Sequence, residues 1–404
     1  MIYLDNAATT QLDPRVLESM MPYLTTQYGN AGALYKFGQA ANEAIQEARA
    51  RVARFIGSNP DNIIFTSGGS EANNLVFHGV KDYLKRIGRT HILVSAVEHD
   101  SVLRAAKNLI KDGFDVECIP VLNNGTVPSA AVERALRPDT GLVSVMYVNN
   151  ETGGENPVSD IGSICLKRGI LFHTDCVQAA GCHPIDIANI GCDFLSISAH
   201  KIHGPKGTGA LYVKDASILS PLIYGGHDQE FGLRAGTENV AGIVGFGKAC
   251  EIANAQQNED RTIVSTLKQQ FVTELQSHFD GDIVHINGTS LLSPGKTVNL
   301  RIDGVDNESL ILMLDNMGVC ISAGSACQSH ESKPSHVLTA MGLTTEEARS
   351  SIRVSFSRLN TVDEVMDAAH IMASFIDVLR SHRTEEQGMT ITSISTPYTS
   401  FGCI

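Results

Sequence analysis

An α/β fold with a large, mostly parallel sheet and a smaller α+β domain is predicted by three features of the chain. Between Asn62 and Val213 short apolar runs alternate with helix-like stretches, and polar residues cluster where those runs end. After Asn239 the pattern turns helical before further strand-like runs begin. The 404 residues exceed what one ordinary core holds, and a hydrophobic content of 43% is ample for burial.

The chain opens on strand-like Ile2-Tyr3-Leu4. The runs Ile63-Ile64-Phe65, His91-Ile92-Leu93-Val94 and Leu142-Val143-Ser144-Val145-Met146 then predict buried strands, as do Ile170-Leu171-Phe172, Phe194-Leu195-Ser196-Ile197 and Ala210-Leu211-Tyr212-Val213. Ile263, Leu267, Phe271 and Leu275 recur every four residues, which predicts one long amphipathic helix joining the domains. Beyond it, Thr297-Val298-Asn299-Leu300, Val319-Cys320-Ile321 and Ile352-Arg353-Val354-Ser355-Phe356 read as strands, with helices around 308–316 and 362–379. The expected layout is a large domain over 16–260 and a small domain from 1–15 and 261–380. A polar tail with little helical periodicity, 381–404, follows.

Charge and cysteine content narrow the function. The net charge is −13 with no basic run, so direct binding to nucleic acid or membrane is not expected, and partners are proteins or small molecules. Nine scattered cysteines without a C-x-x-C pair fit a reduced, cytoplasmic protein. No signal peptide is recognised, and no apolar run reaches the roughly 20 residues of a membrane-spanning helix.

In Ser198-Ala199-His200-Lys201-Ile202-His203-Gly204 an apolar run closes on a lysine boxed by hydroxyl, imidazoles and glycine, where a Schiff-base lysine would sit. Asp175 ends the preceding apolar run, and a carboxylate with a lysine in this order suits pyridoxal phosphate: Lys201 for its aldehyde carbon, Asp175 for its ring nitrogen. The turn Thr66-Ser67-Gly68-Gly69-Ser70-Glu71 opens a helix-like stretch from Ala72, so Gly69 and Ser70 offer backbone N–H groups to a phosphate, with Ser198 and His200 as added donors. By itself that turn reads equally as a strand-to-helix connection capped by Ser70. His99 follows a strand and suits ring stacking and proton transfer, although a lone histidine is as often structural. Asn150 and Gln178 suit the cofactor's phenolic oxygen or, alternatively, loop backbone.

Cys327 lies in Ser325-Ala326-Cys327-Gln328-Ser329, a small polar stretch with nothing to bury a thiol against, so it reads as reactive; Cys320 reads as core. Arg353 has the planar fork for a substrate carboxylate or, alternatively, for a domain-interface ion pair. His200-x-x-His203 and His173-x-Asp175 lack a third ligand of matching spacing, so no metal is expected.

Together these residues resemble the cysteine desulfurases of the NifS/IscS type, pyridoxal-phosphate enzymes of transferase fold type I. The likeness runs from Tyr3 to about Leu379 and rests on Tyr3-Leu4-Asp5-Asn6-Ala7-Ala8-Thr9-Thr10, Thr66 to Asn74, Val148-Asn149-Asn150-Glu151-Thr152-Gly153, Ala199-His200-Lys201 and Ser325-Ala326-Cys327. The stretch from Cys327 to Pro334 resembles the group with a long catalytic loop. The resemblance implies that L-cysteine binds with its carboxylate on Arg353 and Asn30, and that Lys201 or His99 takes the Cα proton. Cys327 then accepts the sulfur as a persulfide and alanine leaves. It also implies a homodimer in which Thr237 reaches the neighbouring subunit's phosphate. The sulfur goes on to an acceptor protein in iron–sulfur assembly, tRNA thiolation or DNA phosphorothioation. A selenocysteine lyase or another fold type I enzyme, such as an aminotransferase, is the alternative within enzymes; a partner-activating scaffold is the alternative outside them. The chain departs from the family pattern at Ala235, where serine is usual, at Tyr35 in Asn30-Ala31-Gly32-Ala33-Leu34-Tyr35, at Phe231 in Gln229-Glu230-Phe231-Gly232, and at Ser357 before Arg358.

Overall fold

The computed structural model describes residues 1–226, 229–288, 294–324 and 334–392, with 382–392 described by backbone alone. Seven strands form the large sheet in the order Ile63–Thr66, Gly209–Val213, Phe194–Ser198, Leu171–Asp175, Thr140–Ser144, His91–Ser95, Asp115–Ile119. Only Gly209–Val213 runs antiparallel to its neighbours; the remaining pairings are parallel. Alternation along each strand divides the core between the two faces. Leu93, Val143, Phe172 and Leu195 enter one cluster, while Ile92, Val94, Leu142 and Phe194 enter the other. A parallel sheet covered on both faces needs such continuous apolar runs, which is why the sequence marks them. The edge strand Asp115–Ile119 has no such run, being mostly exposed, and the sequence reading passes over it.

A third cluster joins both ends of the chain: Leu4, Leu267, Phe271, Leu300, Val354, Phe356 and Met372. It backs a three-stranded sheet in the order Ser351–Ser355, Thr297–Ile302, Val284–Asn287. Val284–Asn287 is a second strand absent from the sequence reading. Val319–Cys320 instead pairs in parallel with the N-terminal Ile2–Tyr3. There Cys320 is only partly buried, which corrects its expected place in the core.

The predicted long helix is Val240–Ser277, 38 residues, or about 57 Å at the standard rise. Asn239 caps it, accepting from the Gly242 N–H at 3.1 Å. Ile243, Phe246 and Cys250 pack in the large core, and Val264, Leu267, Phe271 and Leu275 in the small one. The C-terminal helix, Val362–Thr392, continues past the predicted end near 379, so 381–392 of the expected tail is helical. Residues 393–404 lie outside the described residues, as do Cys327 and Cys403. Every described cysteine is a free thiol. No helix among the described residues is long and apolar enough to cross a membrane.

Arg358 proves to be a latch. Its Nη2 meets Asp13 Oδ2 at 2.5 Å, while Asp13 also caps the helix Pro14–Thr25 through the Arg15 N–H at 2.9 Å. Hydrogen bonds from Arg15, together with the Arg358 charge, hold the Asp13 carboxyl well below the usual carboxylate range.

Candidate active site

A cavity of about 210 Å³ opens where the large sheet's strands end, as expected for a sheet of this kind. Gly69, Ser70, His99, Asn150 and Asp175 line it, as do Gln178, Ser198, His200, Lys201 and Arg353. Lys201 follows its strand in a tight turn, Ala199–Lys201, and its Nζ donates to the carbonyls of Ala7 at 2.5 Å and Ala8 at 2.8 Å. The N-terminal segment thus forms part of the lysine's surroundings, a contact no local pattern announces.

Asp175, 4% exposed, ends its strand. Its Oδ1 accepts from the Val177 N–H at 2.9 Å and its Oδ2 from Asn73 Nδ2 at 2.8 Å. Asn73, which also donates to Ser101 Oγ at 2.9 Å, sits on the helix Gly69–Gly79 one turn behind the glycines and is given no role in the sequence reading. That helix is capped by Gly68, not by Ser70, which sits in the first turn. The turn fits tightly: a Cβ on Gly69 would lie 2.6 Å from Val177 Cγ2, so only glycine brings the backbone this close.

His99 caps the helix Asp100–Asn108, its Nδ1 accepting from the Ser101 N–H at 3.1 Å, which leaves the ring proton on Nε2. The adjacent Glu98 is fully buried; its Oε1 accepts from Ser95 Oγ at 2.6 Å and the Met146 N–H at 2.7 Å. Burial, with a smaller contribution from Asp175, pushes this carboxyl up to about 8, so Glu98 holds a proton at neutral pH. Burial and then the Lys201 charge pull His200 down to about 3, leaving its imidazole neutral, with Nδ1 3.2 Å from Thr9 Oγ1.

Across the cavity stands Arg353, 2% exposed, on the strand Ser351–Ser355. Its Nη2 donates to Asp5 Oδ1 at 2.8 Å and its Nη1 to the Asn150 carbonyl at 3.0 Å. It is thus ion-paired to the N-terminal segment beside its own strand, hydrogen-bonded across to the large sheet's loops, and open to the cavity. Asn30 and Thr237 do not line the cavity; both are exposed, and Asn30 Oδ1 accepts from the Gly32 N–H at 2.9 Å.

Cys327 lies outside the described residues, but both approaches to its segment are visible. Ser335 Oγ donates to Glu151 Oε2 at 2.5 Å, and a Cβ on Gly324 would sit 2.8 Å from that same oxygen. One buried carboxylate thus meets the chain on both sides of the cysteine. Neither Glu151 nor the cavity-lining His336, whose Nε2 donates to the Glu98 carbonyl at 3.0 Å, stood out in the sequence.

The departures at Phe231 and Tyr35 have physical settings. The Arg49 guanidinium lies 4.8 Å from the Phe65 ring and 5.2 Å from the Phe231 ring. It also pairs with buried Glu230 at 2.7 Å. Glu230 and Phe231 adopt left-handed φ values of 45° and 56°, strain that this buried pair and ring stack offset. Tyr35 is the exposed residue just before the helix Lys36–Ile56. Ala235 is buried, its Cβ 2.6 Å from where a Cβ on Gly225 would sit.

The buried polar atoms test whether pyridoxal phosphate fits. Among the described residues, Ser198 Oγ, Asn150 Oδ1, Gln178 Oε1 and Arg353 Nε have no hydrogen-bond partner, and all four residues line the cavity. Buried polar groups require partners; a phosphate would accept from Ser198 Oγ and a substrate carboxylate from Arg353 Nε, beside Lys201 for the aldehyde carbon and Asp175 for the ring nitrogen.

Such a lysine and aspartate at the ends of a mostly parallel sheet define an aminotransferase-type enzyme using pyridoxal phosphate, and residues 2–367 match the aminotransferase class-V family. The chain is 43% identical to the putative cysteine desulfurase IscS 1 of Bacillus subtilis over 376 residues, covering 93% of this chain and 98% of that one. A solved NifS-like protein superposes with a TM-score of 0.86 at 34% identity, covering 93% of this chain and 99% of that one. SspA in complex with cysteine does so with a TM-score of 0.77 at 35% identity, covering 89% and 100%. The chain belongs to the NifS/IscS cysteine desulfurases of the aminotransferase class-V family.

Proposed function

We propose that this protein removes sulfur from L-cysteine, releases L-alanine and holds the sulfur as a persulfide on Cys327 for transfer to an acceptor protein. The observation that carries the reading is the meeting of Lys201, Asp175 and Arg353 on one cavity. Pyridoxal phosphate, when bound, supplies an aldehyde carbon for amines and an electron-withdrawing ring that stabilises negative charge at Cα.

Lys201 is the residue to hold that carbon and, once freed by substrate, to take the Cα proton on its amine, with His99 Nε2 as the second proton carrier. Asp175 keeps the ring nitrogen protonated, and Asn73 and the Val177 N–H keep Asp175 aimed. Glu98, protonated, adds no second negative charge beside Asp175. Gly69, Ser70, Ser198 and neutral His200 hold the phosphate, while Asn150 and Gln178 hold the phenolic oxygen. Arg353 binds the substrate carboxylate, a role that Asn30, exposed and off the cavity, does not share. In the sulfur step Cys327 thiolate forms an S–S bond to the substrate sulfur as its C–S bond breaks, and the methyl group of alanine is completed by protonation. Thr237, exposed and off its own cavity, is the residue to reach the partner subunit's phosphate in a homodimer.

Purified protein given L-cysteine without reductant tests the reading. Wild type should release about one alanine per site and gain one sulfur in intact mass, whereas Cys327→Ala should do neither. Alanine release undiminished in Cys327→Ala would remove the persulfide step from the proposal.

A further inference from the structure

Three metal-ligand side chains that take no part in the crevice meet where the long helix Val240–Ser277 crosses the C-terminal helix Val362–Thr392. Glu274 lies in the last turn of the first helix, His278 caps that helix, and His370 comes from the second. A four-residue separation puts Glu274 and His278 on one helix face. His370 Nε2 donates to Glu274 Oε1 at 2.9 Å, and His278 Nδ1 is 3.9 Å from the same oxygen. The two imidazole rings sit edge to face with centroids 5.2 Å apart. One ligand atom from each of the three residues lies within 4.8 Å of the others.

We propose that Glu274, His278 and His370 bind a borderline divalent cation, with Zn²⁺ as the type. Two imidazoles and one carboxylate suit Zn²⁺, Ni²⁺ or Cu²⁺, whereas Mg²⁺ and Ca²⁺ favour all-oxygen sites. Zinc bonds of about 2.0–2.2 Å place tetrahedral donors about 3.3 Å apart. The pair at 2.9 Å is already close enough, so His278 has most of the distance to travel. Its side chain has the freedom to do so, being 32% exposed, and His370 is 53% exposed. Binding through His278 Nδ1 would exchange its hydrogen bond to the Glu274 carbonyl, 2.8 Å away, for the cation. Solvent exposure leaves the fourth position to water, as in a metal site that is not closed. A cation here would fasten together two helices of the small core that the chain joins only through a long connection. The site stands whether or not the desulfurase reading does.

Holoprotein with its exposed thiols alkylated, which removes cysteine as a competing ligand, is titrated with ZnCl₂ by calorimetry, and its thermal unfolding is followed with and without Zn²⁺. Wild type should show a site that His370→Ala binds at least about tenfold more weakly. Zn²⁺ should raise the unfolding temperature of wild type and not of the variant, and Mg²⁺ should do neither. His278→Ala, at an exposed helix end, provides a second loss of ligand should His370→Ala fold poorly. Equal Zn²⁺ binding by wild type and both variants, or an equal response to Mg²⁺, would overturn the site.

Discussion

On the large-sheet side of the crevice, Asp175 is held by its own strand-end turn and by Asn73 on the helix packed behind it. On the facing side, Arg353 is held by Asp5 from the N-terminal segment and by the carbonyl of Asn150 from the large sheet's loops. The first group is positioned within one layered unit; the second exists in its working geometry only where the two sheets meet. The cofactor grip should therefore tolerate small shifts between the sheets, and the substrate-carboxylate grip should not.

Asp175→Asn is the strongest way to break this comparison. Removing the charge opposite the ring nitrogen should lower kcat by about 10²–10³, with pyridoxal phosphate still bound by the phosphate and lysine contacts; unchanged kcat would take Asp175 out of the chemistry. Arg353→Lys should act on the other side. It gives up a charged, forked hydrogen bond worth about 1.5–3 kcal/mol, which corresponds to KM for L-cysteine rising about 10–100-fold while the cofactor absorbance stays as it is. Asp5→Asn leaves Arg353 intact but loosens its anchor, and a rise in KM below about tenfold is expected. If instead Asp5→Asn altered the cofactor absorbance and spared KM, the proposed division between the two sides would fail.

A separate effect, on stability and not on turnover, concerns Glu98, whose proton the fold retains to about pH 8 against a usual carboxyl value of 4.5. Between those values the folded state binds more protons than the unfolded state, so stability falls as pH rises and levels off above the folded value. The slope is at most about 1.4 kcal/mol per pH unit. Urea unfolding of Glu98→Gln across this window should show that slope flattened, and an identical slope in the variant would assign it elsewhere.

Much of the large-sheet side was legible because parallel strands buried on both faces write themselves as apolar runs, and the polar residues Asp175, Ser198 and Lys201 follow directly at their ends. Asn73, Ala7 and Ala8 were not legible as partners of Asp175 and Lys201, since nothing local distinguishes an asparagine aimed at a carboxylate or a carbonyl aimed at a lysine. Asp115–Ile119 escaped because an edge strand with exposed side chains carries no apolar signature. The helix beyond 379 escaped because that segment shows little periodicity in sequence. Ser70 looked like a cap because serine favours that position, but Gly68, with a φ of 154°, turns the chain before it.

The small core, in which Leu4 packs against residues up to Ile376, sets an order in time. On a ribosome adding about 5–20 residues per second, roughly 20–70 s pass between the synthesis of Leu4 and that of Ile376. Over about the last third of that interval the large core can already close, because its members end at Ala253. Asp5 waits for Arg353 until nearly the whole chain has emerged, so the crevice gains its second side, and with it the means to orient a substrate, only at the close of synthesis.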